Sequence, residues 1–374
     1  MLPTELLDKI TIMSEDSRVA EVLKRHITYH AYATVIKNVL VYGEVQSGKT
    51  RVVLNILQNP QTAHLKKILV VQNSLCVLNQ YKQRLEAQGL DFQIVDSSTE
   101  TIQSDILVII NNVHRYRILH KCMPKTMRYV LVLDEADATI NSCPLKNAVQ
   151  NFYVTATPFN IAKRVEINQV LKINRPKNYF GLDKVDFKFE APNKSKLLER
   201  VSTTQMVDVW ESSIISDDFL KQPSGIMLIN SYNLIDSMNS FASRLSKQFT
   251  EIPIVVLNTQ KHMYLRNQKS YIYQNSIQKI IDRFSAHPHI IFVADRCAFR
   301  GLSYTSSDYT RHLTHQITAV KSSVTSFLQS MRIFGVYNDI PKLRVYLRPC
   351  DKDDFEKYMR FMKAFQVEQL FSEE

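Results

Sequence analysis

Short runs of Val, Ile and Leu that alternate with helical patterns constrain the fold of this chain most strongly. Six runs in the first 160 residues have the length of strands and few polar residues: 38–42, 67–72, 92–96, 105–110, 129–134 and 152–157. Continuous apolar runs are typical of strands that are covered on both faces of a parallel sheet. Helical patterns lie between them, at 49–58 and at 74–88 with Gly89 as its C-cap. The alternation predicts an open α/β fold whose ligands bind at the carboxyl ends of the strands.

The same pattern returns in the second half of the chain and predicts a second sheet of the same class. Strands are predicted at 226–230, 252–258, 289–295, 312–317 and 342–348, and helices at 232–248, 273–285 and 322–332. A chain of 374 residues is long enough for two cores. We predict four segments: a first domain 1–170, a connector 171–220 with a helix at 195–214, a second domain 221–350, and an amphipathic helix 351–374.

A loop with the spacing of a phosphate-binding site follows the first predicted strand. Residues 42–50 have the sequence YGEVQSGKT, which places two of the chain's seven glycines in the pattern G-x-x-x-x-G-K-[ST]. Between a buried strand and a helix, the N–H groups of such a loop surround phosphate oxygens. We expect Lys49 to reach the β- and γ-phosphates and Thr50 to ligate Mg²⁺. The other expected phosphate contacts come from Gly43, Gln46, Ser47 and Gly48. The alternative is a strand-to-helix turn without a ligand.

Two further polar motifs end the predicted strands that follow. Residues 131–137, LVLDEAD, place an acidic pair after an apolar run. Asp134 would hold the metal, and Glu135 would orient or deprotonate the attacking water. Residues 154–159, VTATPF, place the hydroxyls of Thr155 and Thr157 where they can bond back to the acidic pair and sense the γ-phosphate. Each motif is weak alone, and their order after the phosphate loop favours a shared site.

The second half carries two more segments of this kind. Residues 292–303, FVADRCAFRGLS, place the pair Arg300-Gly301 after a strand. Residues 327–335, FLQSMRIFG, contain Gln329 and Arg332. Four of the seven glycines therefore lie in the candidate motifs.

Taken together, these segments resemble motifs I, II, III, V and VI of the superfamily 2 helicases and translocases, and residues 134–137 spell DEAD. The strings VQSGKT, TATPFNI and RGLS, with LQ-x-x-R-x-FG, are most similar to the group of phage, viral and bacterial helicases that includes Z1-type proteins. The resemblance covers about residues 38–340. It implies two tandem RecA-like domains with mostly parallel sheets and an ATP cleft between them.

The resemblance also assigns roles to the candidate residues. The first domain would bind Mg-ATP through Lys49, Thr50, Asp134 and Glu135. The second would contribute Arg332 as a catalytic cation, with Gly301 and Gln329 as nucleotide contacts. Thr155, Thr157 and Arg300 would couple hydrolysis to movement along DNA or RNA, which is gripped through its phosphates.

This chain departs from the family pattern at three places. No adenine-reading motif precedes Gly43, although Tyr29, His30 or Tyr32 could stack on a base. Ser303 stands where RNA helicases of the DEAD type carry Asp. Tyr337 stands where related proteins have a second basic residue, so that Arg344 or Arg348 are alternatives for that cation.

Charge favours a polyanionic partner. The net charge is +11, and residues 261–360 contain 16 Lys or Arg against 8 Asp or Glu. This excess predicts nucleic-acid contacts in the C-terminal half, with a solvated basic surface as the alternative. In the first half, His114, Arg115 and Arg117 are candidates for phosphate contacts, as is the segment 72–74, in which Asn73 or Ser74 would also cap a helix.

The ends and the cysteines predict an intracellular protein. The N-terminus lacks the pattern of a signal peptide, no apolar run has the length of a bilayer span, and the five cysteines are scattered. We expect the cytoplasm, or a site of viral or phage genome replication or transcription.

Two other functions remain open from the sequence. A packaging-type ATPase, as in terminases, needs a nuclease half with clustered carboxylates, which the sequence does not make obvious. A nucleic-acid-binding scaffold with a degenerate ATPase is favoured by the altered motif VI. The intact Lys49, Thr50, Asp134 and Glu135 argue against that scaffold.

Overall fold

The fold is that of two α/β units. The structure is a computed structural model that describes residues 38–146, 148–189, 203–231, 235–257, 262–266, 269–273, 276–294, 302–321, 323–337, 342–365 and 367. The chain divides into two compact units, of which the first comprises residues 1–177 and 366–374 and the second comprises residues 178–365. Each unit contains its own mostly parallel sheet with helices, which confirms the predicted fold class.

The first unit contains a seven-stranded sheet in which every described pair of strands is parallel. Its strands are β1 (Asn38–Tyr42), β2 (Lys66–Val71), β3 (Gln93–Ile94), β4 (Ile106–Ile110), β5 (Tyr129–Asp134), β6 (Gln150–Thr155) and β7 (Gln169–Lys172). The helices are α1 (Lys49–Leu57), α2 (Leu75–Ala87), α3 (Val113–Cys122), α4 (Ala136–Thr139) and α5 (Phe159–Ala162). The order in the sheet is β3-β4-β2-β5-β6-β1-β7.

The apolar runs form the interior of this sheet, as the sequence predicts. Strands β4 and β5 are buried along their whole length, which is what helices on both faces of a parallel sheet produce. The predicted strands 38–42 and 129–134 coincide with β1 and β5. Gly89 follows α2 with a φ of +63°, which confirms its predicted role at the C-terminus of that helix.

Three candidate motifs meet at one edge of the first sheet. Strand β6 lies between β5 and β1, and the register pairs Thr155 with Tyr42 and Val154 with Asp134. Because the three strands are parallel and end together, the loops that follow them are neighbours.

The second unit contains an eight-stranded sheet and a two-stranded one. Its strands are β8 (Tyr179–Phe180), β9 (Asp186–Lys188), β10 (Gly225–Ile229), β11 (Ile254–Leu257), β12 (His262–Arg266), β13 (Lys269–Tyr273), β14 (His289–Ala294), β15 (Leu313–Ile317), β16 (Gly335–Val336) and β17 (Arg344–Tyr346). The helices are α6 (Thr203–Asp217), α7 (Ile235–Gln248), α8 (Ile277–Arg283), α9 (Val324–Ser330) and α10 (Lys352–Ala364). The large sheet has the order β13-β12-β11-β14-β10-β15-β17-β9, and β16 pairs with β8.

The antiparallel strands at the edge of the large sheet were not predicted. Strands β12 and β13 pair with each other and extend β11 in antiparallel fashion. Their sequences, HMYLR and KSYIY, mix polar and apolar residues and lack the continuous apolar run of the buried strands. The predicted helix 273–285 begins later, at Ile277, because the hydroxyl of Ser276 accepts a hydrogen bond from the N–H of Lys279 and caps it.

A partly buried ionic cluster joins elements of the second unit. The carboxylate of Asp218, which follows α6, accepts hydrogen bonds from Arg344 and from the hydroxyl of Tyr346 at 2.6 Å, and lies 3.3 Å from Nε2 of His315. Burial opposes ionisation of Asp218, but these partners outweigh it and hold the pKa of the carboxyl well below its usual value. The cluster therefore ties α6 to β15 and β17.

We predict that Asp218→Asn destabilises the second unit by about 3 kcal/mol at pH 7, because it leaves a guanidinium half-buried without its anion. Since the pKa of Asp218 is lowered by folding, its contribution is present above the ordinary pKa of about 4 and is lost as the pH falls below it. Urea unfolding followed by fluorescence of Trp210, the only tryptophan of the chain, measures the loss. The exposed Asp353→Asn is the control, and an equal loss in both variants would contradict the prediction.

Candidate functional site

The loop after β1 has the backbone of a phosphate-binding loop. The N–H of Gly43 donates to the carbonyl of Thr155 over 3.2 Å, which fixes the start of the loop to β6. Gln46 and Gly48 have left-handed φ values of 57° and 98°, and they curl the chain into α1. No side chain caps α1 at its N-terminus. A helix start without a side-chain cap attracts an anion, since N–H groups and the positive end of the dipole face it.

The interior of the loop fits a phosphate. A Cβ at Gly43 would come within 2.6 Å of the Oγ of Ser47 and 3.0 Å of Ile173, so a side chain there would displace these neighbours. The Ser47 hydroxyl is buried and has no hydrogen-bond partner among the described residues. A buried hydroxyl without a partner costs about 1–3 kcal/mol. A phosphate oxygen would supply that partner.

Lys49 lies at the same place. Its side chain is buried, and its Nζ donates to the carbonyls of Gly43 at 3.1 Å and Glu44 at 2.7 Å. The ammonium group is thus held against the loop by neutral acceptors. A phosphate at the loop would offer it a charged acceptor, and such bonds are about twice as strong as neutral ones.

The acidic pair lies where β5 ends. Asp134 is buried, and its Oδ2 accepts a hydrogen bond of 2.8 Å from the hydroxyl of Tyr81 on α2. Burial raises the pKa of Asp134, and the bond from Tyr81 and the positive charges of Lys49 and Arg84 oppose that rise. This carboxylate and the hydroxyl of Thr50 are oxygen donors of the kind that Mg²⁺ prefers, so both residues could hold the ion when phosphates supply the remaining ligands.

Glu135 adopts an unusual backbone conformation. Its φ of 49° and ψ of 51° are left-handed, and its side chain is buried. For a residue other than glycine this conformation costs about 1–3 kcal/mol and is concentrated at functional sites. The turn at Glu135 starts α4 directly after β5.

Thr155 connects the phosphate loop to the acidic motif. While its carbonyl accepts from Gly43, its hydroxyl donates to Oδ1 of Asp137 at 2.9 Å and accepts from the N–H of Thr157 at 2.9 Å. The sequence predicted a bond to the acidic pair at 134–135, and the structure instead places it on the last acid of the motif. The reason is the sharp turn at Glu135, which brings the first turn of α4 against the end of β6. Thr157 is also fully buried.

In the second unit, a side-chain network fixes the turn that follows α9. Gln329 lies at the end of that helix and Arg332 lies in the turn, and both are buried. Nε2 of Gln316 donates to the carbonyl of Ser330 at 2.7 Å, and its Oε1 accepts from the N–H of Ile333 at 3.1 Å. The side-chain amide of Gln316 therefore holds both ends of the turn in place.

Tyr337, at the altered position of motif VI, belongs to the same turn. Its hydroxyl donates to the carbonyl of Ile333 at 2.6 Å, and burial raises its pKa, so it brings no charge. Arg344, one of the alternative cations, is committed to Asp218. Arg300 and Gly301 of the motif V segment lie outside the described residues, as do Tyr29, His30 and Tyr32.

Sequence reasoning missed two residues of α2 that reach the candidate site. Tyr81 contacts Asp134, and NH1 of Arg84, one helical turn later, donates to Oγ1 of Thr50 at 3.1 Å. Their spacing indicates a shared helix face. No feature of the sequence separates such a tyrosine from one that only packs in the core.

The described residues lack two further features. They contain no group of three or more His, Cys, Asp or Glu placed to hold a metal ion. None of their helices has the length and apolar character needed to cross a membrane.

Comparisons with known proteins place the fold among helicases. Neither a scan against protein-family models nor a search of curated proteins finds a match. Among solved structures, the Escherichia coli DEAH/RHA helicase HrpB has a TM-score of 0.58 at 12% identity, over 91% of this chain and 43% of that one. S. cerevisiae Dbp5 bound to RNA and ADP BeF3 has a TM-score of 0.59 at 11% identity, and the match covers 97% of this chain and 99% of that one. RecG bound to a three-way DNA junction has a TM-score of 0.60 at 13% identity, and the match covers 99% of this chain and 48% of that one.

These likenesses confirm the predicted fold of mostly parallel sheets covered by helices. The chain has the tandem RecA-like architecture of those helicases and spans less than half the length of HrpB and RecG. The closer similarity to phage, viral and Z1-type proteins stays a prediction.

We predict that Gly43→Ala lowers the affinity for ATP at least tenfold, because the added Cβ would meet Ser47 and force the loop to shift. Gly89→Ala is the matched control. Its left-handed φ makes the substitution cost about 1 kcal/mol of stability, but it lies at the far end of α2. Titration with a fluorescent ATP analogue compares the two, and equal affinities would refute the phosphate loop.

Proposed function

We propose that this protein is an ATP-dependent helicase or translocase that couples hydrolysis of Mg-ATP to movement on, or remodelling of, DNA or RNA. The observation that carries the proposal is the convergence of three motifs on the adjacent ends of β1, β5 and β6. Phosphate-loop, acidic and threonine motifs are far apart in the chain, and parallel pairing brings them to one edge. The folds of Dbp5 and RecG support the same function.

Each side chain of that edge has a role in the proposal. Lys49 gives up its hydrogen bonds to the carbonyls of Gly43 and Glu44 and donates instead to the β- and γ-phosphates. Thr50 and Asp134 would hold Mg²⁺, which would neutralise phosphate charge and polarise the γ-phosphoryl group. Glu135 orients the attacking water and accepts its proton.

Thr155 and Thr157 are proposed to couple the nucleotide to the rest of the chain. Thr155 bonds to the phosphate loop through its carbonyl and to Asp137 through its hydroxyl. A shift of either motif therefore strains the other. By resemblance, Arg300 belongs to the same coupling pathway.

Arg332 is the cation that we propose for the second unit, with Gln329 and Gly301 as further nucleotide contacts. Gln316 and Tyr337 fix the turn around Arg332, which preorganises it. The pairing of Arg344 with Asp218 favours Arg332 over that alternative.

The nucleic acid is proposed to contact the carboxyl edge of the first sheet beyond β5. There β2 and β4 lead into α2 and α3, whose N-caps are Ser74 and Asn112. His114 and Arg117 are exposed near the start of α3, and Leu75 is exposed at the start of α2. Exposed cations hold phosphates, and the net charge of +11 favours any polyanion. The same chemistry serves DNA and RNA.

A nucleic-acid-binding scaffold with a degenerate ATPase is the second candidate. It is favoured by one observation, the neutral and buried Tyr337 where related proteins have a basic residue. A measurement of ATP hydrolysis distinguishes this scaffold from a helicase or translocase.

We predict ATP hydrolysis that one of single-stranded DNA, duplex DNA or RNA stimulates strongly. Lys49→Ala should lose nucleotide binding, and Glu135→Gln should bind ATP and hydrolyse it at least 100-fold more slowly, since it lacks the base. Glu86→Gln, on the exposed face of α2, is the control for Glu135→Gln. Steady-state phosphate release measures the rates. Wild-type hydrolysis no faster than that of Lys49→Ala with every polymer would favour the scaffold.

The proposed nucleic-acid contact at the start of α3 gives a separate prediction. The double variant His114→Ala/Arg117→Ala should weaken binding of the stimulating polymer and reduce the slope of log affinity against log salt by about 1, because the phosphate contact of the Arg117 cation is lost. Lys121→Ala, at the other end of α3, should leave the slope unchanged. Salt titrations of a labelled oligonucleotide measure both, and the same slope in all proteins would place the polymer elsewhere.

A further inference from the structure

Helix α2 contacts both side chains that the proposed function assigns to the metal. The hydroxyl of Tyr81 donates to Oδ2 of Asp134 at 2.8 Å, and Arg84 donates to Oγ1 of Thr50 at 3.1 Å. The two donors lie one helical turn apart on one face. The chain brings them to this place from a helix that carries none of the recognised motifs.

The contact of Tyr81 is more than core packing. Its side chain is 2% exposed, and a phenylalanine would fill the same volume. Its one polar atom is directed at the carboxylate of Asp134, which is itself buried. A buried carboxylate is stabilised by hydrogen bonds, and the bond from Tyr81 adds to a backbone hydrogen bond at Glu135 in fixing the orientation of Asp134.

We propose that Tyr81 is a positioning residue for the Mg²⁺ site, and that its hydroxyl presents Asp134 to the metal and so sets how strongly Mg²⁺ promotes nucleotide binding. The proposal rests on the proposed function, which makes Asp134 the metal-holding acid. Tyr81 touches neither the nucleotide nor the water in this role.

The expected size of the effect of Tyr81 on Mg²⁺-dependent nucleotide binding follows from the chemistry of metal sites. A carboxylate can accept a hydrogen bond at one oxygen while the other oxygen faces the metal or a water bound to it. Partners that orient a metal-binding side chain contribute about 10- to 100-fold in metal affinity. A free Asp134 would have to be ordered by the ion itself, and the cost would appear as weaker coupling between metal and nucleotide.

The test is a thermodynamic ratio and does not depend on turnover. The dissociation constant of a fluorescent, non-hydrolysable ATP analogue is measured for the full chain in saturating Mg²⁺ and in EDTA. The ratio of the two constants is the metal coupling. For Tyr81→Phe we expect a coupling at least tenfold smaller than that of the wild type, with the constant in EDTA unchanged.

Tyr116→Phe is the matched control. Tyr116 is also buried in the first unit, and its hydroxyl makes a bond of the same 2.8 Å, to Oδ1 of Asn111. Loss of that bond should cost similar stability and leave the coupling intact. Asp134→Asn sets the lower limit of the coupling.

The outcomes separate the two proposals. A wild-type chain that binds the analogue equally in Mg²⁺ and EDTA would refute the proposed metal site itself. A normal wild-type coupling that Tyr81→Phe retains would overturn the role of Tyr81 alone. Equal weakening of the analogue in both conditions by Tyr81→Phe would also overturn it, because the hydroxyl would then support the nucleotide pocket or the fold.

Discussion

The candidate site depends on the parallel pairing of β6 between β5 and β1. That pairing places Thr155 beside Tyr42 and Val154 beside Asp134, so motifs separated by many residues in the chain end on one edge. The bond from Gly43 to the carbonyl of Thr155 extends the pairing one residue beyond the strands. A slip of one residue in β6 would turn its side chains to the opposite face and break the bond between Thr155 and Asp137.

Buried charge is the second constraint. Lys49, Asp134, Glu135 and Asp137 are all less than a tenth exposed, at a place where an isolated charge would be strongly unfavourable. Lys49, Asp134 and Asp137 are held by hydrogen bonds from or to neighbouring groups, and Glu135 sits in a strained backbone conformation. Such an arrangement opposes stability locally, and the apolar strands on either side offset its cost.

The sequence predicts the elements of this site better than the contacts within it. Strands β1 and β5 were located because their apolar runs are continuous, whereas β12 and β13 mix polar and apolar residues at a sheet edge. The partner of Thr155 was misplaced because the left-handed turn at Glu135 is a backbone property that Glu does not signal. The sequence does not predict the role of Tyr81, because its contact with Asp134 depends on how α2 packs on the sheet, which no local pattern encodes.

The altered motif VI weighs less against an ATPase than the sequence alone suggests. Losing a basic residue at Tyr337 removes a charge, yet the tyrosine hydroxyl bonds to Ile333 and helps to hold the turn that carries Arg332. Gln316 holds the same turn from β15. A segment that no longer served a cation would have little reason to keep two buried polar clamps, since each polar group that is buried without need costs free energy. These bonds hold the turn that carries Arg332 in one conformation, which supports the role proposed for Arg332, and Tyr337 is part of that support.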